Sequence, residues 1–129
     1  MKISQYNTAV SEVSNYADID SYLSDMALSS IWGAPEVSPI PEQRIHDLSQ
    51  IWDAANRSMK DIAAASGLSQ RKLAERFCIP YRTMEDWCRG AREAPSYVRL
   101  MMQECLGLLP IEKYLEFCDL SLDKRIRAK

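Results

Sequence analysis

The sequence is poor in side chains that bind metal ions at short spacing. It contains a single histidine, His46, and none of its four cysteines, Cys78, Cys88, Cys105 and Cys118, forms a CxxC pair. Structural zinc sites take tetrahedral sets of closely spaced cysteine and histidine, so this pattern disfavours a zinc site. Three of these cysteines fall inside apolar helical stripes or beside a turn, and we interpret the thiols as buried side chains that act as small hydrophobic residues.

The residue patterns of an enzyme active site are also missing from the sequence. There is no nucleophile–base pair, no pair of catalytic carboxylates and no phosphate-binding loop. His46 stands beside Asp47, but a solvated histidine on an amphipathic helix is the commoner case, so we assign it no chemistry. We therefore expect no catalytic residues, no metal and no other cofactor.

The chain lacks long apolar runs. None approaches the ~20 residues that a membrane-spanning helix needs, and the first ten residues, MKISQYNTAV, lack the apolar centre of a signal peptide. We therefore expect a cytoplasmic protein with no membrane partner. Its 129 residues are 47% apolar and 26% charged, with four glycines and six prolines, which is typical of a soluble globular chain with one compact domain and appendages.

The net charge of −2 hides an uneven distribution. Residues 1–56 hold eight acidic and two basic side chains, a balance of −6, whereas residues 57–99 hold nine basic and five acidic ones, a balance of +4. Residues 100–129 hold five of each. The basic surplus is therefore confined to one segment, which favours an anionic partner there and a different role for the acidic segment.

Helical periodicity organises the first half of the chain. Residues 1–16 are polar without a sustained period, and we expect at most a frayed or weakly helical segment. Asp18 or Asp20 can cap a helix that runs to about Ile31, whose apolar face either packs on the core or binds a partner. A second helix begins at Pro41, and its apolar stripe consists of Ile45, Leu48, Ile51, Trp52 and Ala55.

The stretch 70–89, QRKLAERFCIPYRTMEDWCR, predicts two short helices joined by a tight turn. The segment 59–66 before it predicts another helix, which ends at Gly67, and Ser69 caps the helix that follows. Apolar residues recur at helical spacing, are interrupted at the turn and then resume, so the two stripes must pack together. The predicted core residues of this helix pair are Leu73, Ala74, Ile79, Met84 and Trp87.

Two more helices are predicted after this pair. In the segment 110–129, apolar residues recur at helical spacing before a basic end. This segment either packs within the chain or pairs with a second subunit. Its basic end is either simply solvated, the commoner case, or contacts phosphates. The other helix follows Pro95 and packs on the pair through an apolar stripe that comprises Tyr97, Leu100, Met101, Cys105 and Leu108.

The helix pair resembles the Cro and phage-repressor-like, xenobiotic-response-element type of helix-turn-helix proteins. The family's small residue in the first helix matches Ala74, its apolar turn residue matches Ile79, and its core pair in the second helix matches Met84 and Trp87. One departure is Cys78, which stands where the family usually has a glycine with positive φ. If that angle is kept, the side chain costs ~1 kcal/mol.

A second departure concerns a charged pair. Many family members pair an arginine on the helix before the motif with a glutamate near the end of the second motif helix. The matching positions here are Ala63 and Cys88. Both charges are absent together, so no orphan buried charge remains, and the exchange can be neutral or favourable for stability.

The resemblance covers about residues 57–109 and implies a helix-turn-helix domain over that range. We therefore predict an all-α fold: a compact helical bundle containing a helix-turn-helix, with an N-terminal helical extension and a C-terminal helix. Residues 1–56 form the acidic extension, with a proline-rich linker near 33–41, and residues 110–129 form the C-terminal helix and basic tail.

The second helix of the motif carries the predicted DNA contacts. An α-helix fits the major groove of B-DNA, and Arg82 can bind O6 and N7 of guanine with both guanidinium branches. The resemblance places the base contacts at Tyr81, Arg82 and Asp86. Residues at helix ends and in the following loop are expected to contact phosphates, namely Ser69, Arg71, Arg89 and Arg92. The resemblance adds Gln70, the glutamine that opens the first helix, to these phosphate contacts.

These predictions favour a sequence-specific regulator of transcription that binds double-stranded DNA, repressor-like or antitoxin-like, and acts as a homodimer. Glu85 and Asp86 oppose that function, because carboxylates near phosphates are repelled unless they accept from cytosine N4. The alternative is that the fold serves as a protein-binding module, such as an inhibitor of host defence or a toxin-binding partner. The acidic N-terminal extension then supplies a surface for the protein partner.

Overall fold

The computed structural model describes residues 1–33 and 39–111, and every regular element within these ranges is helical. No strand occurs there, so the predicted all-α fold is confirmed. The centre of the predicted linker, residues 34–38, and the predicted C-terminal helix with its basic tail, residues 112–129, lie outside the described residues. The α-helices are α1 (Ile3–Glu12), α2 (Ile19–Ala27), α3 (Glu42–Asn56), α4 (Met59–Ser66), α5 (Gln70–Arg76), α6 (Tyr81–Arg89) and α7 (Ser96–Cys105).

The described residues divide into two compact units: residues 50–109 form one, and residues 1–49 with 110–111 belong to the other. The boundary between them falls inside α3. Each unit buries hydrophobic side chains of its own: Tyr22 and Leu48 are fully buried in the first unit, and Ile62 and Met84 in the second. The predicted partition into residues 1–56, 57–109 and 110–129 stays a prediction.

The polar N-terminal segment forms a regular helix, α1, rather than a frayed end. The Gln5 side chain accepts a hydrogen bond from the backbone N–H of Lys2 at 2.9 Å, which satisfies one amide at the start of the helix. Tyr6 and Ala9 are buried on one face, and Val13 is buried just after the helix ends. A face built from one tyrosine and one alanine gives a weak periodic signal, which is why the sequence prediction underestimated it.

Helix α2 begins as predicted and ends earlier than predicted. The Asp18 carboxylate accepts from the backbone N–H of Ser21 at 2.8 Å, which confirms it as the N-cap. The predicted end near Ile31 is wrong, because the Met26 carbonyl accepts from Ser29 Oγ and from Trp32 Nε1, both at 2.9 Å. These side-chain bonds take the carbonyl that a continuing helix would use, and the chain turns into a short 3₁₀ segment, Ser30–Trp32.

The buried face of α3 differs from the predicted stripe. Leu48 and Ile51 are buried as predicted, whereas Ile45 is exposed and Asp47 is 7% exposed. The Asp47 carboxylate accepts from Gln43 Nε2 at 2.8 Å, one turn earlier, so it is not left without a partner. This bond makes the burial of a carboxylate tolerable, and the hydrophobic stripe alone did not predict it.

In the second unit, the predicted start of α5 at Ser69 and the predicted end of α4 at Gly67 are confirmed. The Ser58 and Ser69 side chains accept from the backbone N–H groups of Asp61 and Lys72, each at 3.2 Å, and so cap α4 and α5. Gly67 ends α4 with φ of 72°. Gly90 ends α6 with φ of 81°, a left-handed conformation that favours glycine.

The core of the second unit contains the predicted packing residues. Leu73, Ala74 and Met84 are buried, and Ile79 and Trp87 pack against them while remaining partly exposed. Ala63 and Cys88, the positions where the resemblance predicts a charged pair, belong to the same buried cluster. Burial raises the pKa of the Cys88 thiol, so this cysteine is a neutral, apolar part of the core.

Two other cysteines are not buried. Cys78 and Cys105 are exposed, so the prediction that they are buried is wrong for both; Cys118 lies outside the described residues. Cys78 occupies a turn and Cys105 the last turn of α7, and neither position points into the core of its unit.

Helix α7 packs through a face next to the predicted one. Tyr97 and Met101 are 66% and 60% exposed, so their predicted contacts with the helix pair are wrong, and Cys105 is exposed as well. The packed face comprises Val98, Met102 and Leu106, with Gln103 fully buried beside it.

A polar network explains this rotation of α7. Gln103 Nε2 donates to the carbonyls of Ala54 at 2.9 Å and Arg99 at 3.2 Å, and Gln103 Oε1 accepts from Arg57 Nη1 at 2.9 Å. Arg99 donates through Nη1 to the carbonyls of Arg57 at 2.7 Å and Ala55 at 3.3 Å. The network supplies hydrogen-bond donors to carbonyls at the end of α3. The spacing of apolar residues in the sequence does not predict these bonds.

The turn between α5 and α6 keeps the left-handed backbone that the resemblance implies. Cys78 has φ of 56°, and it is the only non-glycine residue with positive φ among those the structure describes. The backbone N–H of Ile79 donates to the Ala74 carbonyl at 2.9 Å, which closes α5 in the manner of a Schellman turn. The turn therefore needs the positive φ although a side chain is present.

We expect replacement of Cys78 by glycine to stabilise the protein. Removing the Cβ relieves about 1 kcal/mol or more of left-handed strain, and the extra freedom of glycine in the unfolded chain offsets part of it, so the net gain is about 0.5–1 kcal/mol. Chemical denaturation measures the difference. The same replacement at Cys105, which is exposed but helical, serves as the matched control and should destabilise by a few tenths of a kcal/mol. A Cys78→Gly variant less stable than the parent would contradict the assignment of strain.

Candidate nucleic-acid interface

Helix α6 buries one face and exposes the other. Met84 and Cys88 are buried and Trp87 is partly buried, whereas Tyr81 and Arg82 are exposed. Pro80 precedes the first helical residue, and no side chain caps this end. The alternation follows the helical period, so the polar face of α6 points away from the core of its unit.

Five residues of α6 line one shallow, open depression of about 340 Å³: Tyr81, Arg82, Glu85, Asp86 and Arg89. The structure thus brings the three predicted base-contacting residues together with one predicted phosphate-contacting residue. Glu85 belongs to the same surface. The depression therefore presents two guanidinium groups and two carboxylates side by side.

Asp86 binds two arginines within the protein. Its Oδ1 accepts from Arg89 Nη2 at 2.8 Å, and its Oδ2 lies 3.6 Å from Arg92 Nε. The Asp86 side chain is 13% exposed, whereas those of Arg89 and Arg92 are 71% and 72% exposed. The carboxylate is thus largely covered, while most of both arginine side chains faces solvent. Base contact by Asp86 stays a prediction and would require these pairs to rearrange.

Arg71 stacks on Tyr81 across the turn between α5 and α6. The guanidinium carbon lies 4.2 Å from the centre of the tyrosine ring, a cation–π arrangement. Both side chains belong to the predicted set, one as a phosphate contact and one as a base contact. The stack connects the first residues of α5 to the depression on α6.

Arg82 is a cation in the depression whose guanidinium makes no contact with a partner group among the described residues. Among the described residues, its guanidinium has no ion pair, hydrogen bond or aromatic partner, and the side chain is exposed. Glu85, on the next turn of the helix, is exposed as well. Arg82 is therefore available for an external acceptor, with a carboxylate nearby that limits which acceptors are tolerated.

The remaining predicted phosphate contacts lie at the start of α5. Gln70 is exposed as the first residue of the helix. Ser69 is exposed too, but its hydroxyl oxygen already accepts from the backbone N–H of Lys72. A hydroxyl in this state still has its own proton to donate to a phosphate oxygen.

Two features of this surface were not predicted. The Asp86–Arg89 pair has i,i+3 spacing on a helix, so the sequence contained a signal for it. The Arg71–Tyr81 stack joins residues of different helices and depends on how the turn is closed. No local spacing rule predicts such a contact.

Other kinds of site are not found in the part of the chain that the structure describes. No group of three or more His, Cys, Asp or Glu side chains converges there as a metal site would require. The described helices also include none that is long and apolar enough to cross a membrane.

The described fold defines the chain as an all-α protein with an exposed, charged helix face. Comparison of the chain with protein-family models, with curated proteins and with solved structures gave no significant match. The function therefore has to be inferred from the charged face itself.

Proposed function

We propose that this protein is a transcriptional regulator that binds double-stranded DNA at specific sequences, with α6 in the major groove. The observation that carries the proposal is the α6 depression, where the exposed Arg82 has no partner among the described residues. A helix with exposed polar residues on one face fits the major groove, and arginine is the side chain most often used to recognise guanine. Under this proposal the α5–α6 pair is a helix-turn-helix of the Cro and phage-repressor type.

The surroundings of α6 support phosphate contacts. Arg89 and Arg92 are held on one carboxylate and keep most of their side chains in solvent, so each retains N–H groups for an external oxygen. Arg71 is held on the ring of Tyr81, which lines the same depression as Arg89. Phosphate contacts from several fixed side chains would set the position of α6, and Tyr81, Arg82 and Asp86 would then contact the bases.

The proposal includes a homodimer in the cytoplasm without enzymatic activity. Proteins of this type bind two half-sites about one helical turn of DNA apart, roughly 34 Å, and a single short helix buries little surface on its own. The operator would then be a palindrome.

The test is selection of bound fragments from a pool of random duplex DNA, followed by titration of the selected sequence at several salt concentrations. We expect a palindromic consensus, and an affinity that falls with increasing salt in proportion to the number of phosphates contacted. Failure to enrich any sequence, together with equal affinity for all duplexes at low salt, would refute a sequence-specific regulator.

A second candidate function is protein binding through the acidic first unit. Residues 1–56 carry a charge balance of −6, and Leu28 there is 65% exposed. Glu85 on the α6 face also suits a basic protein partner. This candidate, an inhibitor of host defence or a toxin-binding partner, predicts that no duplex DNA is retained at low salt while one protein partner binds tightly. The same titration therefore distinguishes the two candidates.

A further inference from the structure

The Gln50–Leu109 unit has a second concave site, which shares no lining residue with the α6 depression. It is a half-open cavity of about 310 Å³ between the α3–α4 turn, α6 and the loop before α7. Its volume is at the lower end of the range for small-molecule sites, ~300–1,000 Å³. The lining residues are Asn56, Ser58, Met59, Trp87, Gly90, Arg92, Glu93, Ala94 and Arg99.

The cavity wall contains a cation, Arg99, that has no counter-ion among the residues the structure describes. Arg99 is partly buried and is fixed by hydrogen bonds from Nε to the Ala94 carbonyl and from Nη1 to the carbonyls of Ala55 and Arg57. Among the described residues, no carboxylate lies within ion-pair distance of Arg99, and its Nη2 has no partner. A partly buried guanidinium bonded only to neutral carbonyls keeps an uncompensated charge, which an anion in the cavity would balance.

A second arginine, Arg57, does not line the cavity but is hydrogen-bonded to Arg99 through its backbone carbonyl. Arg57 is partly buried, donates to the Gln103 amide oxygen at 2.9 Å, and likewise has no carboxylate partner in the described part of the chain. Its carbonyl is the one that accepts from Arg99 at 2.7 Å. Because Arg57 also has no ion pair among the described residues, its charge adds to the positive potential near Arg99 and favours an anion there.

The other side chains decide what kind of anion fits. Trp87 and Met59 provide an aromatic surface and an apolar surface, which favour a flat carbon skeleton. Arg92 provides an exposed guanidinium: its side chain is 72% exposed, and its contact with Asp86 is long, at 3.6 Å. Glu93 is the one acidic lining residue and is exposed. It opposes anion binding, so a single negative charge is better tolerated than several.

We infer that this cavity binds a small aromatic monocarboxylate, with the carboxylate on Arg99 and Arg92 and the ring against Trp87. Arg99 supplies a fixed donor and Arg92 a donor that leaves Asp86 for the ligand. Binding of this ligand does not depend on the DNA-binding proposal. The consequence that follows for regulation does rest on that proposal: release of Asp86 from Arg92 would alter the charge of the α6 face, so the ligand would be an effector.

The test uses 2-naphthoate as the probe, with 2-naphthamide as its neutral isostere, in isothermal titration calorimetry on the intact chain without DNA. We expect saturable binding of one naphthoate per chain and at least tenfold weaker binding of the amide. Arg92→Gln should weaken naphthoate binding about tenfold, because one of the two charge-assisted contacts is lost. Glu93→Gln should strengthen it severalfold, because a repelling carboxylate is removed.

Two controls keep the result interpretable. Lys72→Gln removes an exposed positive charge from α5, outside the cavity, and should leave naphthoate binding unchanged. Both cavity variants change exposed side chains, and circular dichroism of each verifies that it is folded. Equal binding of acid and amide, no binding of either, or naphthoate affinity that is indifferent to Arg92→Gln and Glu93→Gln would overturn the inference. Because no DNA is present, none of these outcomes bears on the proposed regulator.

Discussion

Replacing Arg82 with alanine will lower affinity for the selected operator by roughly 10- to 100-fold, corresponding to ~1–3 kcal/mol for one bidentate base contact. The loss should be confined to the preferred sequence, so that the ratio of operator affinity to random-duplex affinity falls by the same factor. The physical reason is that Arg82 is exposed on the outward face of α6 and none of the described residues holds its guanidinium. Fluorescence anisotropy with both duplexes measures the two affinities.

The matched comparison is with two variants that remove the same charge elsewhere. Arg89→Ala should weaken binding to all sequences by a similar factor and reduce the salt slope by about one, because a phosphate contact has no sequence preference. Lys72→Ala, on α5, should also leave the base preference unchanged. If Arg82→Ala weakens operator and random DNA equally, Arg82 acts through its charge alone, and base recognition by α6 in the proposed form is wrong.

Replacing the buried Gln103 with leucine will destabilise the protein by roughly 2–3 kcal/mol, although leucine has a similar size and is apolar. The amide makes three hydrogen bonds, and its loss leaves the partly buried Arg57 guanidinium without an acceptor and removes a 2.9 Å bond to the Ala54 carbonyl. Each buried polar group that loses its partner costs about 1–3 kcal/mol. Thermal and denaturant unfolding, followed by circular dichroism, measure the change.

The control for this variant lies two positions earlier on the same helix. Met101 is 60% exposed, so Met101→Leu should change the free energy of unfolding by less than about 0.5 kcal/mol. If Gln103→Leu unfolds at the same denaturant concentration as the parent, the polar network adds nothing that a hydrophobic side chain cannot replace. In that case the orientation of α7 depends on Met102 and its apolar neighbours alone.

The parts of the fold that were predicted from sequence rest on local chemistry. Ser69 and Asp18 cap helices, and Gly67 ends one, because each acts on backbone groups within a few residues. The core of the α5–α6 pair was predicted from the helical spacing of its apolar residues, which is also a local property of the sequence. These features need no knowledge of the rest of the chain.

The errors occur where a side-chain hydrogen bond that the helical period does not contain decides the outcome. Helix α7 turns Met101 outward because Gln103 bonds to a carbonyl 49 positions earlier, and the apolar period contains no trace of that bond. Helix α2 ends early because Trp32 donates back to Met26. In the candidate interface, the exposure of Arg82 followed from the period of α6, whereas the Arg71–Tyr81 stack depended on closure of the turn.

The Gln103–Ala54 hydrogen bond also has a consequence for the time course of folding. It joins residues 49 positions apart, whereas the contacts within the α5–α6 pair span a few residues. Loop closure over such a distance is entropically costly, so we expect this bond to form after the transition state for folding. The Gln103→Leu variant should therefore refold at nearly the parent rate and unfold faster, which stopped-flow measurements at several denaturant concentrations would resolve.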